Sequence, residues 1–145
     1  MIVSDLETVA TLEKEIFGDD AYNLDQLKYE LLENPIATIL VACVDSKIVG
    51  YLDFSITFDS STINHFAVKS NFRKKGIGNL LIGEMVKLCK SSTDVVEFIT
   101  LEVRKSNDVA HRFYKRHAFE DITIKPAYYQ DGEDAIYMVR SIVND

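Results

Sequence analysis

The run Arg73-Lys74-Lys75-Gly76-Ile77-Gly78-Asn79 puts three cationic side chains directly ahead of two glycines. A glycine has no Cβ, so its backbone N–H can approach a ligand closely, and a helix that begins here adds partial positive charge at its first turn. These features suit a polyanion; the same residues also fit a glycine-rich turn beside a solvated charge run. Spacing removes two classes of anion. A phosphate loop places Lys and then Ser or Thr after its last glycine, whereas Asn79-Leu80 follows Gly78. A dinucleotide fingerprint needs its third glycine three residues on, and Gly83 falls five residues after Gly78.

Two other residues have types suited to moving protons. In the run Val95 to Val103, the residues Ile99, Leu101 and Val103 share one strand face, and Glu102 points to the other. Tyr114 falls on an inward helical stripe with Val109, Ala110 and Phe113. Each also has a structural reading: Glu102 can pair with a surface base, and Tyr114 can be a core aromatic whose hydroxyl needs a partner. His65, His111 and His117 lack metal-ligand spacing with any acidic cluster and read as structural or solvent-facing, so no metal is expected. Cys43 and Cys89 fit neither a disulfide framework nor a zinc site and read as reduced core residues. Neither has an activating neighbourhood, which argues against a covalent intermediate on cysteine.

The elements that must position these groups follow from periodicity. Leu6, Val9, Ala10, Leu12, Glu13, Ile16 and Phe17 recur at helical spacing, with Ser4 or Asp5 as cap. A second helix starts after Asn23, turns Leu24, Leu27, Leu31 and Leu32 inward, and stops before Pro35. Strands are expected at about 37–44 and 47–58, joined at Asp45-Ser46, and at about 62–68. A long helix from Gly76 to about Lys90 buries Ile77, Leu80, Leu81, Met85 and Leu88. A strand over 95–103, a helix over 106–117 and strands near 118–125 and 134–142 complete the chain. Early hairpins followed by β-α-β crossovers predict an α/β architecture with a mixed central sheet and helices on both faces.

With 145 residues the chain has room for one domain, 1–145. A net charge of −7 argues against nucleic-acid binding, which needs a positive field, and is compatible with a basic partner. No apolar run approaches the roughly 18 residues of a membrane span, and the N-terminus lacks a secretory pattern. The expected compartment is the cytoplasm.

The glycine loop resembles the Arg/Gln-x-x-Gly-x-Gly/Ala pyrophosphate cradle of the GCN5-related N-acetyltransferase family. Ile63-Asn64-His65-Phe66-Ala67-Val68 is similar to that family's splayed fourth strand. Leu101-Glu102-Val103-Arg104-Lys105-Ser106-Asn107 through Tyr114 resembles the L-E-V-R-x-S-N-x-x-A-x-x-L-Y block of ribosomal-protein-alanine N-acetyltransferases. Tyr128-Tyr129 and Glu133-Asp134-Ala135-Ile136-Tyr137-Met138 resemble the ending of the same subfamily. There are two departures. Ala118-Phe119 stands where family members have Gly-Phe, and Asp20-Ala21-Tyr22-Asn23 stands where the subfamily has tryptophan and serine.

The resemblance implies a mostly antiparallel sheet of six to seven strands flanked by about four helices. It implies acetyl-coenzyme A as cosubstrate, held by Phe66, Ala67, Val68, the Arg73–Asn79 loop, Asn107 and Tyr114. Glu102 is then the general base and Tyr114 the acid. Tyr22, Tyr128, Tyr129, Glu133 and Asp134 become the substrate side. The expected acceptor is the N-terminal α-amine of a ribosomal protein, whose pKa of about 7.7–8.0 makes it easier to deprotonate than lysine at about 10.4. The alternatives are a lysine side chain, a small-molecule amine, or a non-catalytic acyl-coenzyme A sensor.

Overall fold

The computed structural model describes residues 1–145. Its elements are α1 (Leu6–Phe17), α2 (Leu24–Leu32), β1 (Ala37–Val44), β2 (Lys47–Thr57), β3 (Ser60–Val68), α3 (Ile77–Ser91), β4 (Phe98–Arg104), α4 (Asp108–Arg116), β5 (Glu120–Lys125) and β6 (Ala135–Ser141). The expected order of elements is the observed one. The six strands lie in the order β1-β2-β3-β4-β6-β5. Only β3 and β4 run parallel, joined by the α3 crossover that a parallel pair requires.

Local chemistry accounts for the joints. Asp45 and Ser46 both take positive φ, +50° and +65°, which matches a two-residue turn to the twist of β1 and β2. Asn23 and Gln26 cap α2 reciprocally, each side chain accepting the other's backbone N–H at 2.8 Å. At α1 the expected cap differs: Asp5 stands at the cap position, but its carboxylate accepts from Ile2 N–H, and a short 3₁₀ turn leads into the helix.

Tyr51 and Leu52, adjacent on β2, enter separate clusters on opposite sheet faces. One face packs β2, β3 and β4 against α3, Tyr114 and Phe119. The other packs Leu6, Val9, Leu12 and Leu27 of α1 and α2 on Ile39, Tyr51 and Ala67. Burying each large side chain contributes about 1.5–3 kcal/mol.

Several expected core positions are corrected. Leu80 is 74% exposed, and the buried stripe of α3 is Ile77, Leu81, Ile82, Met85 and Cys89. Of the four leucines on α2 only Leu27 is buried, because a nine-residue helix lying on a sheet edge presents one narrow stripe. Val95 and Val109 are exposed, and β4 begins at Phe98. Cys89 is a core residue; Cys43 is exposed, since β1 is an edge strand and Cys43 lies beyond its bulge.

Candidate active site

The sheet divides in its middle. β3 and β4 pair only from Ser60–Thr62 to Phe98–Thr100. Beyond Thr62, β3 stays with β2 as far as Val68, and β4 stays with β6 as far as Arg104. A bulge at Asn64 of β3, opposite Asp53/Phe54, bends β3 where it departs. Facing backbone edges are thereby freed, and such groups must find a partner in water or in a ligand. The opening is a cleft of about 180 Å³ whose lining includes His65, Phe66, Glu102, Asn107, Tyr114 and Tyr129.

Its apolar wall is built by packing. Phe66 stacks on Phe113 at 5.4 Å between ring centroids, and Phe113 meets Tyr114 edge-on at 5.5 Å. Tyr114 also lies edge-on to Phe119. Burial pushes the Tyr114 phenol well above its usual range, so it stays protonated at neutral pH. Gly78 closes this wall from the α3 side: a Cβ there would come 2.9 Å from Phe113 Cε2 and 3.3 Å from Phe66 Cζ. The glycine loop and the cleft are therefore one packed unit.

At the start of α3, Gly76 is left-handed at φ +85° with open space where a Cβ would project, and no side chain caps the helix. The N–H groups of Ile77, Gly78 and Asn79 belong to the first turn, which has no internal acceptors for them. Lys74 is left-handed too, at φ +60°. Arg73 is exposed, with its Nε donating to the Val68 carbonyl at 2.9 Å, and Lys75 lies over the Phe72 ring. The Asn79 side chain is held by His117 Nε2 at 2.8 Å. Ala67 is buried with the α1/α2 cluster. Uncapped amides, a left-handed glycine and two exposed lysines fit a phosphate-bearing group such as that of coenzyme A.

The opposite wall is ionic. Glu102 Oε1 accepts from Lys125 Nζ at 2.6 Å, and this carboxylate holds the Lys125 ammonium charged. Arg104 binds Asp131 and Glu133, each at 2.9 Å, and also Asp20, while its guanidinium lies 4.0 Å from the Tyr129 ring centroid. The other Glu133 oxygen accepts from Ser106 N–H at 2.8 Å. That bond, followed by Arg104, holds the Glu133 carboxyl below its usual range. Asp134 accepts from Ala127 N–H at 2.9 Å. Glu133 and Asp134 thus anchor the β5–β6 loop. Tyr129 reaches the cleft; Tyr128 stands beside it, edge-on at 5.0 Å. Asn107 caps α4, accepting from Ala110 N–H at 3.2 Å. Tyr22 lines an open groove of about 440 Å³ with Asp25 and Glu30 and stacks on His65 at 3.7 Å.

Sequence reasoning assigned no site role to Arg104, Glu13 or Asp53, and it read His65 as structural or solvent-facing. Glu13 did leave a signal, as the one charged residue on the apolar stripe of α1; it is fully buried, with His65 Nδ1 at 2.7 Å. Asp53 is also fully buried, and burial pushes its carboxyl up to about 7, with Glu30 adding to the rise.

Residues 4–119 match the acetyltransferase (GNAT) family. A candidate ribosomal protein bS18-alanine N-acetyltransferase of Bacillus subtilis is 34% identical over 139 residues, spanning 95% of this chain and 90% of that protein. An N-alpha-acetyltransferase of Sulfurisphaera tokodaii is 33% identical over 121 residues, 75% of this chain and 72% of its own. The crystal structure of the ribosomal-protein-S18-alanine N-acetyltransferase from Escherichia coli superposes with a TM-score of 0.85. It covers 98% of this chain and 90% of that one at 23% identity, a likeness of fold.

Proposed function

The chain belongs to the acetyltransferase (GNAT) family, and from that premise we propose that it acetylates the N-terminal α-amine of a ribosomal protein in the cytoplasm. The observation that carries the reading is the cleft where β3 leaves β4, with Glu102 on one wall and Tyr114 on the other. The name of the Bacillus relative supports the ribosomal acceptor, as do the Leu101–Tyr114 block and the Tyr128–Met138 ending.

Acetyl-coenzyme A, when bound, supplies an acyl carbon activated as a thioester. The loop Arg73 to Asn79 holds its phosphates, and Phe66, Val68 and Asn107 border its arm. Glu102 attracts the incoming ammonium and accepts its proton, directly or through one water. The neutral nitrogen then forms its bond to the acyl carbon, the carbon–sulfur bond breaks, and the nitrogen's second proton passes to solvent, leaving a neutral amide. Tyr114 donates a hydrogen bond to the departing sulfur as charge develops there, and solvent restores whatever proton it gives up. Arg104 keeps Tyr129 and the β5–β6 loop against the acceptor side.

The experiment is to incubate the protein with labelled acetyl-coenzyme A and unacetylated ribosomal proteins, then to locate the label by mass spectrometry. The expected result is label on an α-amine. Label on lysines alone replaces this acceptor with a lysine side chain, and absence of transfer to any amine overturns the enzymatic reading.

A further inference from the structure

His65 lines the same cleft as Glu102 and Tyr114, yet it enters from β3. Three contacts hold its ring. Nδ1 lies 2.7 Å from Glu13 Oε1, Tyr22 stacks on one face at 3.7 Å and 19°, and Phe17 packs at 5.0 Å. Glu13 is fully buried, and an ionised carboxylate taken out of water is costly unless something compensates it. A carboxylate on one ring nitrogen fixes the imidazole tautomer, makes the other nitrogen the acceptor, and stabilises the imidazolium formed when that nitrogen takes a proton.

The surroundings of the ring are short of positive charge. Glu13 comes from α1, Tyr22 from the approach to α2, Glu30 from α2, and Tyr51 and Asp53 from β2. Glu102, Arg104, Tyr114 and Asp20 border the cleft from the other elements, and Arg104 is already engaged with Asp20, Asp131 and Glu133. Tyr51 and Asp53, buried with Glu13, continue the polar cluster inward behind His65. A positive charge on His65 would meet two buried carboxyl groups, those of Glu13 and Asp53.

We propose that His65, oriented by Glu13, is a second proton acceptor for the acceptor amine, opposite Glu102 across the cleft. This rests on the acetyltransferase reading. Lys125 occupies one oxygen of Glu102; the imidazole offers a second route, beside that carboxylate, for the proton that must leave before attack. The proton passes from the ammonium nitrogen to His65 Nε2, leaving a neutral amine and an imidazolium paired with Glu13. Solvent takes the proton after the product departs. Glu13 touches no reacting atom and is a positioning residue.

The test compares wild type, His65→Gln, His65→Ala and Glu13→Gln with acetyl-coenzyme A and a peptide bearing a free α-amine, across pH 6 to 9.5. At pH 7, His65→Gln should lose roughly ten- to hundred-fold in kcat/KM. The loss should shrink as pH rises past the amine pKa of about 8, where solvent deprotonates the acceptor. Glu13→Gln should show a smaller loss with the same pH shape, and added imidazole should restore part of the His65→Ala rate. Binding of acetyl-coenzyme A should not change. A pH-independent loss, or turnover within two-fold of wild type, overturns the proposal. If His65→Gln fails to fold, imidazole rescue of His65→Ala and the Glu13→Gln profile decide it. Wild type that acetylates no amine refutes the enzymatic reading instead.

Discussion

The two walls of the cleft are positioned by different physics. On the α3/α4 side, Phe66, Phe113, Tyr114 and Phe119 interlock with Gly78, and no charged group fixes the reactive hydroxyl. On the α1/α2 face, Glu102, Arg104 and Glu133 from the β4 side of the cleft and Glu13 and His65 from its β3 side are set by ion pairs and charged hydrogen bonds. Packing is indifferent to pH and sensitive to a methyl group. Ion pairs tolerate small displacements and depend on protonation. A transfer reaction needs both: a dry, fixed pocket for a thioester, and a polar wall that can receive a proton.

Substitutions that remove one kind of control and leave the other test this contrast. The largest effect is expected for Tyr114→Phe, which keeps the packing and removes the donor. Turnover should fall by roughly 10²–10⁴-fold with little change in acceptor affinity, and steady-state kinetics would show it. Near wild-type turnover would take the hydroxyl out of the reaction.

Next comes Glu102→Gln, which keeps the shape of the ionic wall and removes its charge. Its rate loss should shrink as pH rises, because solvent then deprotonates the amine; a loss constant with pH would assign Glu102 to structure alone.

Asp53→Asn reads the electrostatics through stability. The Asp53 carboxyl sits near 7 in the fold against 3.8 ordinarily, so the folded state binds the extra proton. Stability therefore falls as pH rises from about 4 to about 7, and the penalty is fully present above that. Asp53→Asn should raise stability by about 1–3 kcal/mol at pH 8 and by little at pH 4. Denaturant titration at the two pH values would measure the difference, and equal gains would contradict the assignment.

The smallest effect is expected at the exit of α4. Ala118 adopts φ +64°. Phe119 N–H reaches the Tyr114 carbonyl at 3.1 Å and Ala118 N–H the Lys115 carbonyl at 3.2 Å, the paired bonds of a left-handed helix exit. The fold keeps the geometry of the usual Gly-Phe with an alanine in it. Ala118→Gly should stabilise the protein by about 1 kcal/mol, visible as a modest rise in Tm and no change in turnover.

Much of this was legible in the chain itself. Element order, the Asp45-Ser46 turn, the Asn23 cap and the cationic glycine loop all depend on neighbours within a few residues. For that reason local spacing and residue type reveal them. Leu80 and Val109 misled because a helical stripe is about 100° wide, and only the seating of the helix on the sheet fixes which edge of the stripe is wet. The family blocks pointed to Glu102 and Tyr114 without revealing what surrounds them.

The sequence by itself determined the succession of elements, the sheet-and-helix architecture and the residue types available for proton transfer, because periodicity and turn chemistry are short-range. Tertiary structure alone decided the partners. Glu13 meets His65 across 52 positions, Arg104 meets Asp20 across 84, and Lys125 meets Glu102 across 23. It also decided where β3 parts from β4, since that point depends on the bulge opposite Asp53 and on β6 claiming β4 along its length. Hydrogen-bond register across a sheet joins residues far apart in the chain, and nothing in the chain's local spacing carries that register.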